Sequence, residues 1–459
     1  MFKKVLIANR GEIAARIART CERLGVATVA VYSDADKDTL HVQACTEAVH
    51  IGGSPVRESY LNAEKIIEVA KQTECDAIHP GYGLLSERAS FAQAVIDAGL
   101  TFIGPTPETL ALFGDKMRAR QIAQQAGVRV SPGTDEPVAD LEAARAAAER
   151  IGFPLIVKAA AGGGGIGMET VEDEDDLEKA LKTCMSRGEA AFGDARIYLE
   201  HYIARPRHIE VQIFGDSQGE IVALGERECS VQRRHQKLIE ESPSPAFLRF
   251  ANGQMRREAL ADAALRVARE VGYQGAGTVE FIMDADGHMH FLELNARLQV
   301  EHGVTEMCTG LDLVELQLIV ASGSPLPREA TQAEASGHAM EARICAEDPK
   351  KNFFPQPGEV ETLRWPSVTA GALRVDTAIA AGSKVTPFYD SLVAKVIAKG
   401  PSRHRALLTL DRALAETIIT PLTTNVEFLR EVLAHEAFRA GQYDTTFAER
   451  LLAGTEEPR

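Results

Sequence analysis

Residues 278–302 form two runs of alternating polarity around Asp286-Gly287, and no other stretch constrains the fold as tightly. Asp-Gly is favoured in two-residue type I′ turns, where both central residues need a positive φ. With that pair as the loop, Ala285 faces His288, and counting outward places Glu280 opposite Glu293. Their Cβ atoms would then lie about 4.5 to 5.5 Å apart, a like-charge pair that costs stability unless a cation offsets it. Positive charge is therefore expected between them.

Beyond Glu293 the alternation continues, with Asn295, Arg297, Gln299 and Glu301 on one parity and Leu294, Ala296, Leu298 and Val300 on the other. Period two sends all five polar residues to one face of a continuing strand. A half-exposed strand with a solvated face alternates in the same way. Here the polar face carries no Lys, Ser or Thr filler and begins at a carboxylate already paired with Glu280, which favours a site. The carboxylates of Glu280 and Glu293 with the carboxamide of Asn295 are hard oxygen ligands of the kind Mg²⁺ accepts beside phosphate oxygens. A zinc site would call for Cys or His.

A chain of 459 residues exceeds one hydrophobic core and predicts two to four domains. Its net charge of −16 argues against a nucleic-acid surface, which needs a basic stripe. Seven scattered cysteines (21, 45, 75, 184, 229, 308 and 345) form no CxxC pair and suit a reducing cytosol. The opening run Val5-Leu-Ile-Ala8 is too short for a signal-peptide core, and no later run approaches a membrane span. A cytoplasmic protein without membrane or nucleic-acid partners is expected.

From residue 3 to 113, short apolar runs alternate with amphipathic stretches: Val5-Leu-Ile-Ala8, then Ile13, Ala14, Ile17 and Ala18 at helical spacing, then Ala27-Thr-Val-Ala-Val-Tyr32. This βαβ grammar predicts a parallel sheet with helices on both faces. The first turn, Asn9-Arg10-Gly11-Glu12, is not GxGxxG, so no dinucleotide site is indicated. His79-Pro80-Gly81-Tyr82-Gly83 is a second strand-end turn, open both to a ligand-facing role and to plain turn chemistry. Residues 130–202 form a second unit, with an amphipathic helix over 141–151 and a strand Pro154-Leu-Ile-Val-Lys158. That strand leads into the glycine run Gly162-Gly-Gly-Gly165 and Gly167, whose exposed N–H groups suit a flap over phosphates better than a bare linker. GxxxxGK[ST] is absent, which excludes P-loop chemistry. The acidic run 172–176 reads as a solvated helix start. From Arg205 onward lies a larger unit holding the hairpin, the segment Gln232-Arg-Arg-His235-Gln-Lys237 and Glu341-Ala-Arg343. Asn425-Val-Glu-Phe428-Leu429 begins an amphipathic packing helix.

In this order, Ile7-Ala-Asn-Arg-Gly-Glu-Ile13, His79–Gly83, Leu85-Ser-Glu87, Gly114-Asp-Lys116, the glycine run, Gln232–Lys237, Glu293–His302 and Phe388-Tyr-Asp-Ser391 resemble the biotin carboxylase component of acyl-CoA and pyruvate carboxylases, an ATP-grasp family. The likeness covers nearly the whole chain. It implies an α/β fold (α+β overall): a doubly wound parallel-sheet domain over 1–114, an ATP-grasp linker with a mobile glycine-rich lid over 115–204, the catalytic ATP-grasp half over 205–334 and a barrel-like C-terminal domain over 335–450. The implied activity is ATP- and Mg²⁺-dependent carboxylation of carrier-bound biotin by bicarbonate through carboxyphosphate. Two metal ions are implied, with Mn²⁺ as an alternative.

The resemblance also assigns residues. Lys116 and Lys158 would meet the ATP phosphates beneath Gly163, Gly164, Gly165 and Met168. Glu200, His201 and Ile203 would lie at adenine, and His208, Gln232 and His235 elsewhere along the nucleotide. Glu280, Glu293 and Asn295 would hold the metal. Lys237, Arg297, Gln299 and Val300 would bind bicarbonate, with Glu301 as base. Arg343 would face the biotin ureido oxygen, and Tyr82 would line the same pocket. Arg343 could instead be a structural ion-pair partner of Glu341 or Glu347. Ile166 stands where the family usually has Arg, and His201 where it has Lys, so altered nucleotide affinity is expected. None of the nine methionines is followed by Lys, so the Met-Lys-Met biotin anchor is missing. A biotin carboxyl carrier protein and a carboxyltransferase subunit are the implied partners. Arg16 and Arg19 match positions the family uses in a homodimer interface. Two alternatives stay open: an ATP-grasp ligase or carboxylase acting on a small nitrogenous compound, and a degenerate nucleotide-binding scaffold.

Overall fold

The computed structural model describes residues 1–161, 167–367 and 371–455. The first apolar run is β1 (Lys4–Ile7), followed by helix α1 (Gly11–Arg23), whose buried face carries Ile13, Ala14, Ile17 and Ala18 as the spacing predicts. With β2 (Ala27–Ser33), β3 (Glu47–Gly52), β4 (Ala77–His79) and β5 (Thr101–Phe102) it forms a parallel sheet of order β3-β2-β1-β4-β5. The strand order reverses at β1 and β4, and right-handed crossovers on either side of that point fall on opposite faces. Ligand crevices form outside the carboxyl ends at such a point. There Asn9 latches the second turn, its Nδ2 donating to the Pro80 and Tyr82 carbonyls at 2.7 and 2.8 Å. Gly81 is required beside it: its φ is +64°, and a Cβ would meet Asn9 Nδ2 at 2.9 Å.

Helix α2 (Lys116–Gln125), capped by Asp115, leads to a small antiparallel sheet of β6 (Leu155–Ala159), β7 (Met168–Val171) and β8 (Ile197–His201). β6 and β7 pair Lys158 with Met168; the glycine run and Ile166 between them lie outside the described residues. The acidic run is an exposed one-turn start to the helix Leu177–Phe192, as expected.

The third sheet is antiparallel and positions most of the site. Its strands are β9 (Arg207–Gly215), β10 (Ile221–Arg233), β11 (Gln236–Ser242), β12 (Gly275–Met283), β13 (Met289–Asn295), β14 (His338–Cys345), β15 (Leu373–Thr377) and β16 (Leu392–Gly400). Their order is β13-β12-β9-β10-β11-β14-β16-β15.

The hairpin differs from the sequence expectation at its turn. Asp284 N–H donates to the His288 carbonyl (3.0 Å) and Gly287 N–H to the Asp284 carbonyl (3.1 Å), and Gly287 alone in the loop has a positive φ, 80°. The loop is thus three residues closed by a left-handed glycine, not a type I′ pair, because the Asp284 side chain accepts from His288 N–H and fixes the wider turn. A second irregularity compensates. Phe281 faces Phe291 while Glu280 faces Glu293, so Leu292 is an extra residue. The two one-residue offsets cancel, and the counted Glu280–Glu293 pairing stands.

The alternation past Glu293 is not strand. β13 ends at Asn295, and residues 296–301 run irregularly into helix α3 (His302–Thr309). Side chains replace the ladder there: Glu87 accepts Ala296 N–H at 3.2 Å, and Lys395 donates to the Val300 carbonyl at 2.6 Å. All seven cysteines are free. Among the described residues, no helix is long and apolar enough to cross a membrane.

Candidate active site

β9 is buried throughout yet alternates in polarity, so His208, Glu210 and Gln212 share one face and meet the face of β12 that carries Thr278 and Glu280. A buried polar row must find partners within the protein. Arg227, fully enclosed on β10, supplies much of this: it donates to Glu210, Gln212, Thr278, Gln299 and Thr305. Lys237, on β11, donates to Glu210 at 2.6 Å, to Glu280 at 3.1 Å and to Glu301.

Glu280 therefore does not face bare repulsion. His208 Nε2 (2.7 Å), Lys237, Asn295 Nδ2 (2.9 Å) and Gln299 Nε2 (2.7 Å) surround its carboxylate. Burial disfavours the charge, but Lys237 and His208 outweigh burial and hold Glu280 well below the usual carboxylate range. His208 is correspondingly pushed up against its own desolvation. Glu293, half-buried, has Lys116 Nζ at 3.5 Å. The expected positive charge is thus supplied by two ammonium groups.

The donor chemistry still suits a hard cation: two carboxylates in register, one held anionic and the other open to solvent on one side. Asn295 donates Nδ2 to Glu280 and accepts from Arg297 on Oδ1 at 3.0 Å, so a cation there would share that oxygen with Arg297. His208, Glu210 and Glu280 also bring ligand atoms within 4.8 Å of one another, but Lys237 and the His208–Glu280 contact already satisfy that group.

Glu301, at the mouth of helix α3, is 2% exposed and held between cations, by Lys237 on one oxygen and by Arg343 Nη2 at 2.8 Å on the other. Burial works to raise its pKa, yet Lys237, Arg343 and Arg227 together lower it. Arg343 also donates Nε to Glu240 at 2.5 Å. Its partners are therefore Glu240 and Glu301, and neither Glu341 nor Glu347 is hydrogen-bonded to it. Arg297 pairs with Glu87 at 2.7 Å. Tyr82 donates its hydroxyl to Glu12.

On the small antiparallel sheet, Lys158 is buried and bonded to Glu200, which also takes Arg120 at 2.7 Å. Burial favours the neutral acid, but Lys158 and Arg120 keep Glu200 below its ordinary value. Met168, His201 and Ile203 are half-buried, Met168 opposite Lys158 at one end of that small sheet and His201 opposite Leu155 at the other, and His201 leaves a buried Nδ1 without a partner. Gln232 is buried opposite Lys237 across the β10–β11 pair, and His235 sits exposed in the turn between them at φ 67°. Gly163, Gly164 and Gly165 lie outside the described residues. Arg16 differs from its expected place at a surface: it is 4% exposed and bonded within the chain to Glu306 and Asp312, whereas Arg19 is open to solvent.

Sequence reasoning missed Glu210, Arg227, Glu240 and Lys395. The polar alternation His208-Ile-Glu-Val-Gln212 and the lone Lys in Leu392-Val-Ala-Lys-Val-Ile-Ala398 were the available signals. Glu240 carried none, since adjacent glutamates ordinarily read as surface.

Three family models match the chain in sequence: the biotin carboxylase N-terminal domain over residues 1–110, the ATP-binding domain of the carbamoyl-phosphate synthase L chain over 115–329 and the biotin carboxylase C-terminal domain over 341–450. The biotin carboxylase of Halalkalibacterium halodurans is 49% identical, with 98% of each chain covered. Biotin carboxylase 2 of Bacillus subtilis is 50% identical over 98% of this chain and 100% of its own. Among solved structures, the biotin carboxylase of Campylobacter jejuni superposes with a TM-score of 0.94 at 43% identity, covering 98% of this chain and 99% of that one. The biotin carboxylase domain dimer of Hydrogenobacter thermophilus 2-oxoglutarate carboxylase, in complex with MgADP, ADP and bicarbonate, gives a TM-score of 0.94 at 40% identity with both chains fully covered. On fold, site and sequence together, the chain belongs to the biotin carboxylase family.

Proposed function

We infer that this chain carboxylates biotin at the expense of ATP, with bicarbonate as the carbon source, the first half-reaction of a biotin-dependent carboxylase. The observation that carries the reading is the buried run Lys237–Glu301–Arg343, a carboxylate held between two cations beside the Glu280 cluster. Bicarbonate is a poor electrophile, so one of its oxygens must first attack the γ-phosphorus of ATP, releasing ADP and forming carboxyphosphate. Positioning and charge neutralisation dominate such a transfer. Mg²⁺ held by Glu280, Glu293 and Asn295 would neutralise phosphate charge. Lys116 and Lys158 would approach the phosphates, each now resting on a glutamate, and His208 and Gln232 would lie on the ribose side. Lys237, Arg297, Gln299 and the Val300 backbone would hold bicarbonate, Arg297 through its planar fork. Glu301 would accept the bicarbonate proton. Carboxyphosphate then gives CO₂ and phosphate. Biotin passes its N1′ proton to the phosphate just released and attacks the CO₂ through N1′, while Arg343 would stabilise the developing ureido oxygen, with Tyr82 nearby.

No methionine within these 459 residues is followed by Lys, so the biotin anchor is not among them, and a biotinylated carrier and a carboxyltransferase are the partners proposed. A homodimer fits the exposed Arg19 better than the enclosed Arg16. The test is transfer of labelled bicarbonate to free biotin in the presence of MgATP. Label in carboxybiotin is expected, and ATP turnover indifferent to both bicarbonate and biotin refutes the reading. Carboxylation of another small nitrogenous compound, without response to biotin, would shift it to the alternative ligase.

A further inference from the structure

Lys395 has no part in the chemistry outlined above, yet it is the largest electrostatic commitment on β16. It lies in an apolar run, is fully enclosed, and its ammonium donates to the Val300 carbonyl at 2.6 Å. Two carboxylates stand farther off, Glu12 Oε1 at 3.5 Å and Asp376 Oδ2 at 3.9 Å. The short contact is thus to a backbone oxygen. Burying an ammonium costs several kcal/mol, and a neutral donor could satisfy one carbonyl. The charge therefore needs a further reason.

Strand register supplies it. Lys395 pairs directly with Arg343 across β16 and β14, and Arg343 reaches Glu301. Two neighbouring cations thereby grip consecutive residues, one by the peptide of Val300 and the other by the side chain of Glu301. Like charges directly opposite on a sheet repel unless offset. The offset comes from the carboxylates they bond or face, Glu240 and Glu301 for Arg343, Glu12 and Asp376 for Lys395. Glu341, two residues from Arg343, is fully buried with neither oxygen hydrogen-bonded, and burial pushes its carboxyl up towards the neutral acid. Helix α3 packs closely there at Gly303, where a Cβ would lie 2.3 Å from Ile397 Cδ1 and 2.8 Å from Glu341 Oε2. On its far side Lys395 faces Glu12, which accepts the Tyr82 hydroxyl. Residues 296–301 have no strand ladder of their own, so these contacts set their shape.

We propose that Lys395 is a positioning residue for bicarbonate: by holding the Val300 peptide it orients Gln299 and Glu301 towards Glu280 and Lys237, and through Glu12 it ties that arrangement to Tyr82. This rests on the biotin carboxylase reading of the site.

The test uses the full chain and compares Lys395→Met made in a Glu341→Gln background with Glu341→Gln alone, so that neither carries an ionisable group at 341 and the two differ only in the ammonium. The KM for bicarbonate should rise about tenfold or more, the effect of losing a charge-assisted buried hydrogen bond, while the KM for ATP stays unchanged. Amide exchange over 296–302 should quicken while β12 and β13 keep their protection. Equal shifts in both KM values, or an unchanged bicarbonate KM with unchanged exchange, overturn the proposal. If Glu341→Gln and the unmutated chain both lack bicarbonate-dependent turnover, the functional reading fails. The exchange comparison then decides separately whether Lys395 holds the segment.

Discussion

At Glu301 two demands meet. A base must take a proton, yet Lys237 and Arg343 hold this enclosed carboxylate below the usual range. An anion arriving between the same cations competes for them, and each contact Glu301 gives up raises its basicity. The resting geometry thus stores the base in its ionised form. Glu293 is in the opposite situation, half-buried with one lysine at 3.5 Å. Glu293→Gln should leave urea stability within about 1 kcal/mol of the parent, while ATP turnover falls about a hundredfold or more; parallel unfolding and ADP-release assays check both. Glu240 carries the reverse shift. Burial, with the nearby charge of Glu301, outweighs Arg343 and pushes its carboxyl up to about 7. A raised carboxyl pKa favours the folded state fully below the unfolded value near 4.5 and loses that contribution as pH climbs through 7. Glu240→Gln removes the dependence. Relative to the parent, the variant should therefore gain stability between pH 5 and 7.5, by up to about 3 kcal/mol, and urea midpoints at those two pH values measure it.

At the scale of elements, the hairpin of β12 and β13 shows how a correct pairing can arise from an incorrect turn. Its glycine is pinned twice: φ is +80°, and a Cβ would meet the Phe250 ring at 2.3 Å. Gly287→Ala should cost about 1 to 2 kcal/mol, seen as a lower unfolding midpoint. The KM for ATP should not change, because the Leu292 bulge and pairing with β9 keep Glu280 opposite Glu293. What was legible in the sequence was whatever repeats at a fixed period: α1, the parallel strands, the helix Leu141–Ile151 and the packing helix Val426–Ala434. Glu280 and Glu293 were also visible, since counting outward from a turn needs only neighbours along the chain, whereas Glu301 was named by the family resemblance, because the strand parity that grouped it with them ends at Asn295. The irregular path of 296–301 was not, because its hydrogen bonds go to Glu87 and Lys395, some two hundred residues before it and about a hundred after. Arg343 was found, but the carboxylates it bonds are not the Glu341 or Glu347 of its alternative structural reading: Glu240 and Glu301 reach it across strands that no local pattern relates.

Over the whole molecule, the segment 296–301 is where separate parts of the chain meet. Glu87 comes from the parallel-sheet part, Lys237 from the centre of the large sheet, and Arg343 and Lys395 from its far strands. A second buried network joins α1 to the large sheet, from Arg16 through Glu306 to Arg374 and Asp376. Arg16→Met should therefore lower stability by about 3 kcal/mol, while Arg19→Ala, at a largely exposed side chain, should change it by less than about 1 kcal/mol; calorimetry at matched protein concentration distinguishes the two. The central claim is that this meeting point activates bicarbonate by phosphoryl transfer. The direct measurement is mass analysis of the phosphate released from ATP when the bicarbonate oxygens are ¹⁸O-labelled. One labelled oxygen in each phosphate is the predicted result, because the oxygen that attacks phosphorus stays with it when CO₂ departs. Unlabelled phosphate under turnover conditions would contradict the account.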